Sequence, residues 1–127
     1  MIRPMSIALL LTLSLNSCAQ RTGEPAVPPA VKAAFAQQFP QAEHPQWELE
    51  DGKDLEVEFK QAGTEWSAKY DGTAKWLETE HGIADSALPE AVRNAIATEY
   101  PAHKVKECEM AETPAGTNYE LELREGA

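Results

Sequence analysis

The sequence says one thing twice. Val27-Pro28-Pro29-Ala30-Val31-Lys32-Ala33-Ala34-Phe35-Ala36-Gln37-Gln38-Phe39-Pro40 recurs as Leu88-Pro89-Glu90-Ala91-Val92-Arg93-Asn94-Ala95-Ile96-Ala97-Thr98-Glu99-Tyr100-Pro101, an offset of 61 residues from Pro28 to Pro89. At that offset Val31 meets Val92, Phe35 meets Ile96, Phe39 meets Tyr100 and Pro40 meets Pro101. A duplicated amphipathic segment constrains the fold strongly, because each copy must find its own apolar surface to cover.

Each copy reads as a short helix. Proline stands at the opening turn, where its missing N–H costs nothing. Large apolar residues then fall four apart: Val27, Val31, Phe35 and Phe39, and again Leu88, Val92, Ile96 and Tyr100. Alanines at 30, 34, 91 and 95 flank these ridges and allow close approach to a sheet. Pro40 and Pro101 drive the preceding residue out of helical space and end each helix.

Ahead of the first copy, residues 1–17 carry one basic residue, Arg3, and no acid, with an apolar run from Ile7 to Leu15. The run is too short to span a bilayer and fits the core of a secretion signal. It ends in Leu15-Asn16-Ser17-Cys18, which resembles a bacterial lipobox and implies a lipidated Cys18 at the mature N-terminus. Stable anchoring takes more than one acyl chain. The alternative is an ordinary cleaved signal with an incidental cysteine. Ala19-Gln20-Arg21 brings no acidic run, which favours a periplasm-facing anchor, at the outer membrane before the inner. Residues 18–26 are proline-bearing and aperiodic, a tether. Residues 27–127 then form one domain, with repeat 1 at 27–80 and repeat 2 at 88–123.

Between the helices the period changes to two. Trp47 and Leu49 alternate with Gln46, Glu48 and Glu50 before Asp51-Gly52. Leu55, Val57 and Phe59 alternate with Glu56, Glu58 and Lys60 before Ala62-Gly63. Trp66, Ala68 and Tyr70 alternate with Glu65, Ser67 and Lys69 before Asp71-Gly72, a strong hairpin signal. A fourth strand, about Thr73 to Glu80, carries Trp76 and Leu77. Which of the two faces inward depends on whether the hairpin loop holds two residues or three. In the second copy Lys104 to Ala111 matches the Trp47 strand, setting Cys108 in the place of Trp47. A loop from Glu112 to Thr117 follows, and Tyr119, Leu121 and Leu123 echo Leu55, Val57 and Phe59. The order α-β-β-β-β then α-β-β, with short turns, predicts an α+β fold of tandem units: two helices packed on one face of an antiparallel sheet.

If the helices cover the face bearing Trp47, Val57, Trp66, Tyr70 and Leu121, the opposite face carries Glu48, Glu50, Glu56, Glu58, Glu65, Glu107, Glu109, Glu120 and Glu122. Lys60, Lys69 and Arg124 relieve it. An antiparallel sheet often leaves one face in water, so such a face either keeps an exported protein soluble or binds a partner. The net charge is −10, and loss of residues 1–17 removes only Arg3, giving −11. Nucleic acid and anionic lipid surfaces are disfavoured, while a basic protein surface or a divalent cation fits.

Catalytic and metal motifs are not evident. His44, His81 and His103 lack metal-ligand spacing with one another or with cysteine. His44 and His103 follow helix-ending prolines, where histidines are ordinarily exposed in loops. His81, Asp85 and Ser86 supply the residue types of a hydrolase triad but adjoin in sequence, with no nucleophile elbow. Glu48 to Asp54 lacks the alternating ligands of a calcium loop, and Glu56 with Glu58 lacks a glycosidase context. Cys108 reads as a small buried apolar residue. A Cys18–Cys108 disulfide becomes possible only if Cys18 is not lipidated.

The combined pattern resembles the PepSY-like proteins, also described as β-lactamase-inhibitor-like. It consists of Pro-x-x-Val-x-x-Ala-Phe-x-x-x-Phe-Pro, a Trp-bearing strand, Asp-Gly, an alternating strand, Tyr-Asp-Gly, Trp-Leu-Glu-Thr-Glu, and Leu-Pro-x-x-Val-x-x-Ala-Ile-x-x-x-Tyr-Pro. The likeness runs from Val27 to about Leu123 and departs at Cys108 and in the shorter second repeat. It implies helices on an antiparallel sheet in tandem repeats, no enzymatic activity or cofactor, and a binding or inhibitory role. The expected function is a periplasmic lipoprotein that binds protein through Glu48, Glu50, Glu56, Glu58, Glu65, Glu120 and Glu122. The alternative is a cation-binding or stress-related envelope protein.

Overall fold

The structure is a computed structural model and describes residues 23–126. Two helices start and stop in matching ways. In α1 (Pro29–Gln38) the amides of Val31 and Lys32 donate to the carbonyl of Pro28; in α2 (Glu90–Glu99) those of Val92 and Arg93 donate to Pro89. Both prolines are extended and stand one residue before the helix, so φ is preset and no amide is wasted. At the other end Phe39 donates to Phe35 and Tyr100 to Ile96, each at 2.8 Å. Pro40 and Pro101 follow directly and prevent a further turn.

Six strands form one antiparallel sheet in chain order: β1 (Glu43–Glu50), β2 (Asp54–Gln61), β3 (Thr64–Tyr70), β4 (Trp76–Gly82), β5 (His103–Thr113) and β6 (Gly116–Glu125). Every connection between sequential strands except that from β4 to β5 is a hairpin. That exception carries a 3-10 turn at Asp85–Ala87 and then α2. The fold is α+β, with both helices on one face of the sheet.

The core lies under α1. Val31, Phe35 and Phe39 meet Trp47, Leu55, Val57, Phe59, Ala68 and Tyr70, all buried. Phe35 sets its ring edge-on to both Trp47 and Phe59, with centroids 5.4 and 5.1 Å apart. Such pairs add about 0.5–1.5 kcal/mol to the area they bury. Tyr70 reaches the helix end, where its hydroxyl donates to Oε1 of Gln38 at 2.7 Å. The second repeat is looser. α2 buries no residue fully: Val92 and Ile96 are half-buried, and Tyr100 remains 47% exposed.

Three local expectations are corrected. The Asp71-Gly72 hairpin has neither two nor three loop residues; five, Asp71 to Lys75, separate β3 from β4. The Asp71 carboxylate accepts from the Thr73 amide and hydroxyl and from the Lys75 amide, and holds the wider loop closed. A register irregularity beside Tyr70 accompanies it, and Trp76 packs against the α1 core while donating to Thr79 Oγ1 at 2.8 Å. Conversely, the loop expected from Glu112 to Thr117 shrinks to Pro114-Ala115, with Thr113 paired to Gly116. The Thr113 hydroxyl accepts from Ala115 and donates to the Gly116 carbonyl, and Gly116 takes φ +133°, which closes the turn. Finally, His44 and His103 are strand residues. His44 is exposed in β1 at φ +53°, whereas His103 opens β5 half-buried, edge-on to Tyr100.

Candidate functional site

Strand alternation sorts the side chains. Because Leu55, Val57 and Phe59 point into the core, Glu56 and Glu58 point the other way. Register then carries that parity across the sheet. One row runs Glu48, Glu56, Lys69, Glu78; the next runs Gln46, Glu58, Ser67, Glu80, Ala111, Asn118. Lys60 pairs with Glu65, Glu109 with Glu120, and Glu107 with Glu122.

The expected site residues separate into three groups. Glu50 and Glu56 gather about Lys69, whose Nζ lies 2.8 Å from Glu50 Oε2 and 3.8 Å from Glu78 Oε1. The hydrogen bond from Lys69 holds the Glu50 carboxyl below its ordinary range. Glu56, partly desolvated and beside the Glu50 charge, is pushed up. Glu122 pairs with Lys106 at 2.7 Å in full solvent, near Glu120. Glu58 and Glu65 join Glu56 around an open hollow of about 250 Å³, whose other walls are Trp66, Ser67, Glu80, His81, Gly82 and Glu109. Glu48 pairs directly with Glu56 and belongs to the first group by position.

Glu78 and Glu80 were not among the residues read from sequence. Their parity depended on the Asp71 loop, whose length the sequence left open, although the alternation Glu78, Thr79, Glu80 was itself visible. With Thr79 buried beneath the helix side, both glutamates fall beside Lys69 and Ser67. Glu80 is the most perturbed carboxyl of the hollow. Burial first, then a hydrogen bond and charge from Glu78 and the charges of Glu120 and Glu109, push its pKa up to about 7.

On the opposite, helix-covered face the Trp66 indole and the His81 imidazole stack at 3.8 Å and 8°, with the Trp66 ring set against Phe39 and Phe59. The hollow on the other face is lined by Glu56, Glu58, Glu65, Glu80 and Glu109. Such a surface can pair with lysine or arginine, whose charged heads meet carboxylate in charge-assisted hydrogen bonds. Among the described residues no group of three or more His, Cys, Asp or Glu side chains stands close enough to hold a metal ion. No described helix is long and apolar enough to cross a membrane. Cys18 and the signal at residues 1–17 lie outside the described residues, as does most of the tether.

The profile of a family described provisionally as β-lactamase-inhibitor-like, PepSY-like matches the chain twice, over residues 19–73 and 56–127. No curated protein matches it. Among solved structures, a BLIP-like protein from Bacteroides fragilis aligns over 83% of this chain and 77% of its own, with a TM-score of 0.70 and 26% identity. A DUF2874 family protein from Bacteroides uniformis aligns over 78% and 73%, at TM-score 0.69 and 24% identity. A protein from Bacteroides eggerthii, provisionally described as periplasmic, aligns over 78% and 73%, at TM-score 0.70 and 20% identity.

Proposed function

Since this chain belongs to the β-lactamase-inhibitor-like, PepSY-like family, we propose that it is a non-catalytic binding module of the periplasm that uses its glutamate-lined sheet face to hold a basic protein surface. The convergence of Glu56, Glu58, Glu65, Glu80 and Glu109 on one hollow carries this reading. Lys69 already engages Glu50 and Glu78, which leaves that hollow strongly anionic. Cys18 tethers the module to the membrane by lipid, and the outer membrane is the favoured site. The description of the eggerthii relative supports a periplasmic setting. No described cluster favours a cation-binding role.

The test is a crosslinking pull-down from envelope extract with the lipidated chain, repeated with Glu56→Lys/Glu58→Lys. Bound basic proteins should elute as salt rises, since exposed charge pairs are screened within about 8–10 Å at physiological ionic strength. They should also be lost on charge reversal. Retention of the same partners by the double variant would refute the proposal. A melting temperature that rises with added Ca²⁺ would point instead to cation binding.

A further inference from the structure

We propose that the outer edge of β6 accepts an extended strand from another protein, one that alternates apolar residues on the α2 side with basic residues on the glutamate side. The surface lies beyond the hollow, which reaches across β2 to β5 as far as Glu109, and the inference does not depend on the function proposed for that hollow.

The two edges of the sheet differ. β1 contains Pro45, which has no amide to offer, and beside it His44 at φ +53° and a register shift between Glu43 and Gln46. Prolines and irregularities of this kind blunt an edge against added strands. β6 is ten residues long, contains no proline, and pairs among the described residues only with β5. The irregularity between those two strands lies on β5, between Val105 and Glu107.

The first repeat shows what a strand in that position contributes. There β3 lies outside β2, opposes Ala68 to Val57 and Tyr70 to Leu55, and completes the apolar bed of α1. As a result Val31, Phe35 and Phe39 are 0%, 7% and 8% exposed. Their counterparts Val92 and Ile96 are only half-buried and Tyr100 is 47% exposed, while Tyr119, Leu121 and Leu123 of β6 are half-buried on the same side as Cys108 and Val105. A strand set against β6 with apolar residues on that side would extend this bed, and cross-strand neighbours are what stabilise a sheet.

Charge selects the class of strand. The other side of β6 carries Glu120 and Glu122, opposite Glu109 and Glu107. A second copy offering its own β6 in the register centred on Leu121 would set Glu120 against Glu122, which opposes that self-pairing. Lysine or arginine at alternate positions of a partner strand is attracted. Main-chain bonds then supply affinity and the alternating side chains supply selectivity, as in strand addition generally.

The full chain is titrated with a fluorescent short peptide of alternating valine and lysine, followed by anisotropy and amide exchange. Two comparison peptides carry N-methyl groups on every valine or on every lysine, so that one of them blocks the pairing edge. The unmodified peptide should bind, one methylated form should bind at least about tenfold more weakly, and amides over residues 116–125 should gain protection. Glu120→Lys/Glu122→Lys should shift preference to a valine–glutamate peptide, while Glu56→Lys/Glu58→Lys should leave β6 protection intact. Equal binding by all three peptides, protection confined to β2 and β3, or an unchanged preference in the Glu120/Glu122 variant would overturn the proposal.

Discussion

Cys108 and Ile83 exchange two hydrogen bonds: the Ile83 amide donates to the Cys108 carbonyl at 3.0 Å, and the Cys108 thiol donates to the Ile83 carbonyl at 2.9 Å. The pair ties the strand β5 to the link that leads from β4 into α2. In the first repeat the same sequence position holds Trp47, which fills space under α1. Where repeat 1 has a large aromatic filler, repeat 2 has a small side chain that stitches a loop to the sheet.

Cys108 is therefore expected to be chemically inert in the folded chain. It is 6% exposed, and burial, with the Asp85 charge second, pushes its thiol up. Only the thiolate reacts. In a Cys18→Ser background, labelling by an aromatic disulfide should be at least about a hundredfold slower than in denaturant. Cys108→Ala should cost about 1–2 kcal/mol in urea unfolding, from lost packing and an unpaired carbonyl.

The two helices should differ in what they contribute to stability. Val31 is fully buried, whereas Val92 is half-buried. Val31→Ala should cost about 2 kcal/mol or more, combining transfer and cavity losses. Val92→Ala should cost less than about 1 kcal/mol. Equal costs measured by chemical denaturation would contradict the looser seat of α2.

Glu80 gives stability a pH dependence of known sign. Its folded pKa of about 7 lies above the ordinary 4.5, so the folded state prefers the neutral carboxyl. That preference is fully present below pH 4.5 and is lost as pH rises through 7. Glu80→Gln should raise stability at pH 8 by about 1 kcal/mol, the full linkage value being reduced by solvent screening at a part-exposed site. It should also flatten the melting temperature between pH 5 and pH 7 relative to the parent, as thermal scans would show.

Tyr70 governs the alkaline side. Burial raises its hydroxyl to about 12, and that hydroxyl donates to Gln38. An unfolded tyrosine ionises near 10, so this contribution is complete below pH 10 and is lost as pH climbs toward 12. Tyr70→Phe should cost about 1 kcal/mol at neutral pH and should shift alkaline unfolding, followed by tryptophan fluorescence, to higher pH.

What the sequence by itself determined was whatever depends on neighbours along the chain. The prolines at 28, 40, 89 and 101 bound both helices, and the period-two run from Leu55 to Lys60 put Val57 inside and Glu56 outside. Duplication foretold the order α-β-β-β-β then α-β-β, because each copy reuses one local code. Only the tertiary structure decided how the Asp71 loop resolves, and with it the parity of β4: Trp76 turns inward to meet the distant α1 core, and the local bonds from the Asp71 carboxylate to Thr73 and Lys75 close the loop that this demands. The hollow is of the same kind. Glu80 stands near Glu109 and Glu58 through pairing between distant strands, and a one-residue slip in register would send each of these carboxyls to the opposite face.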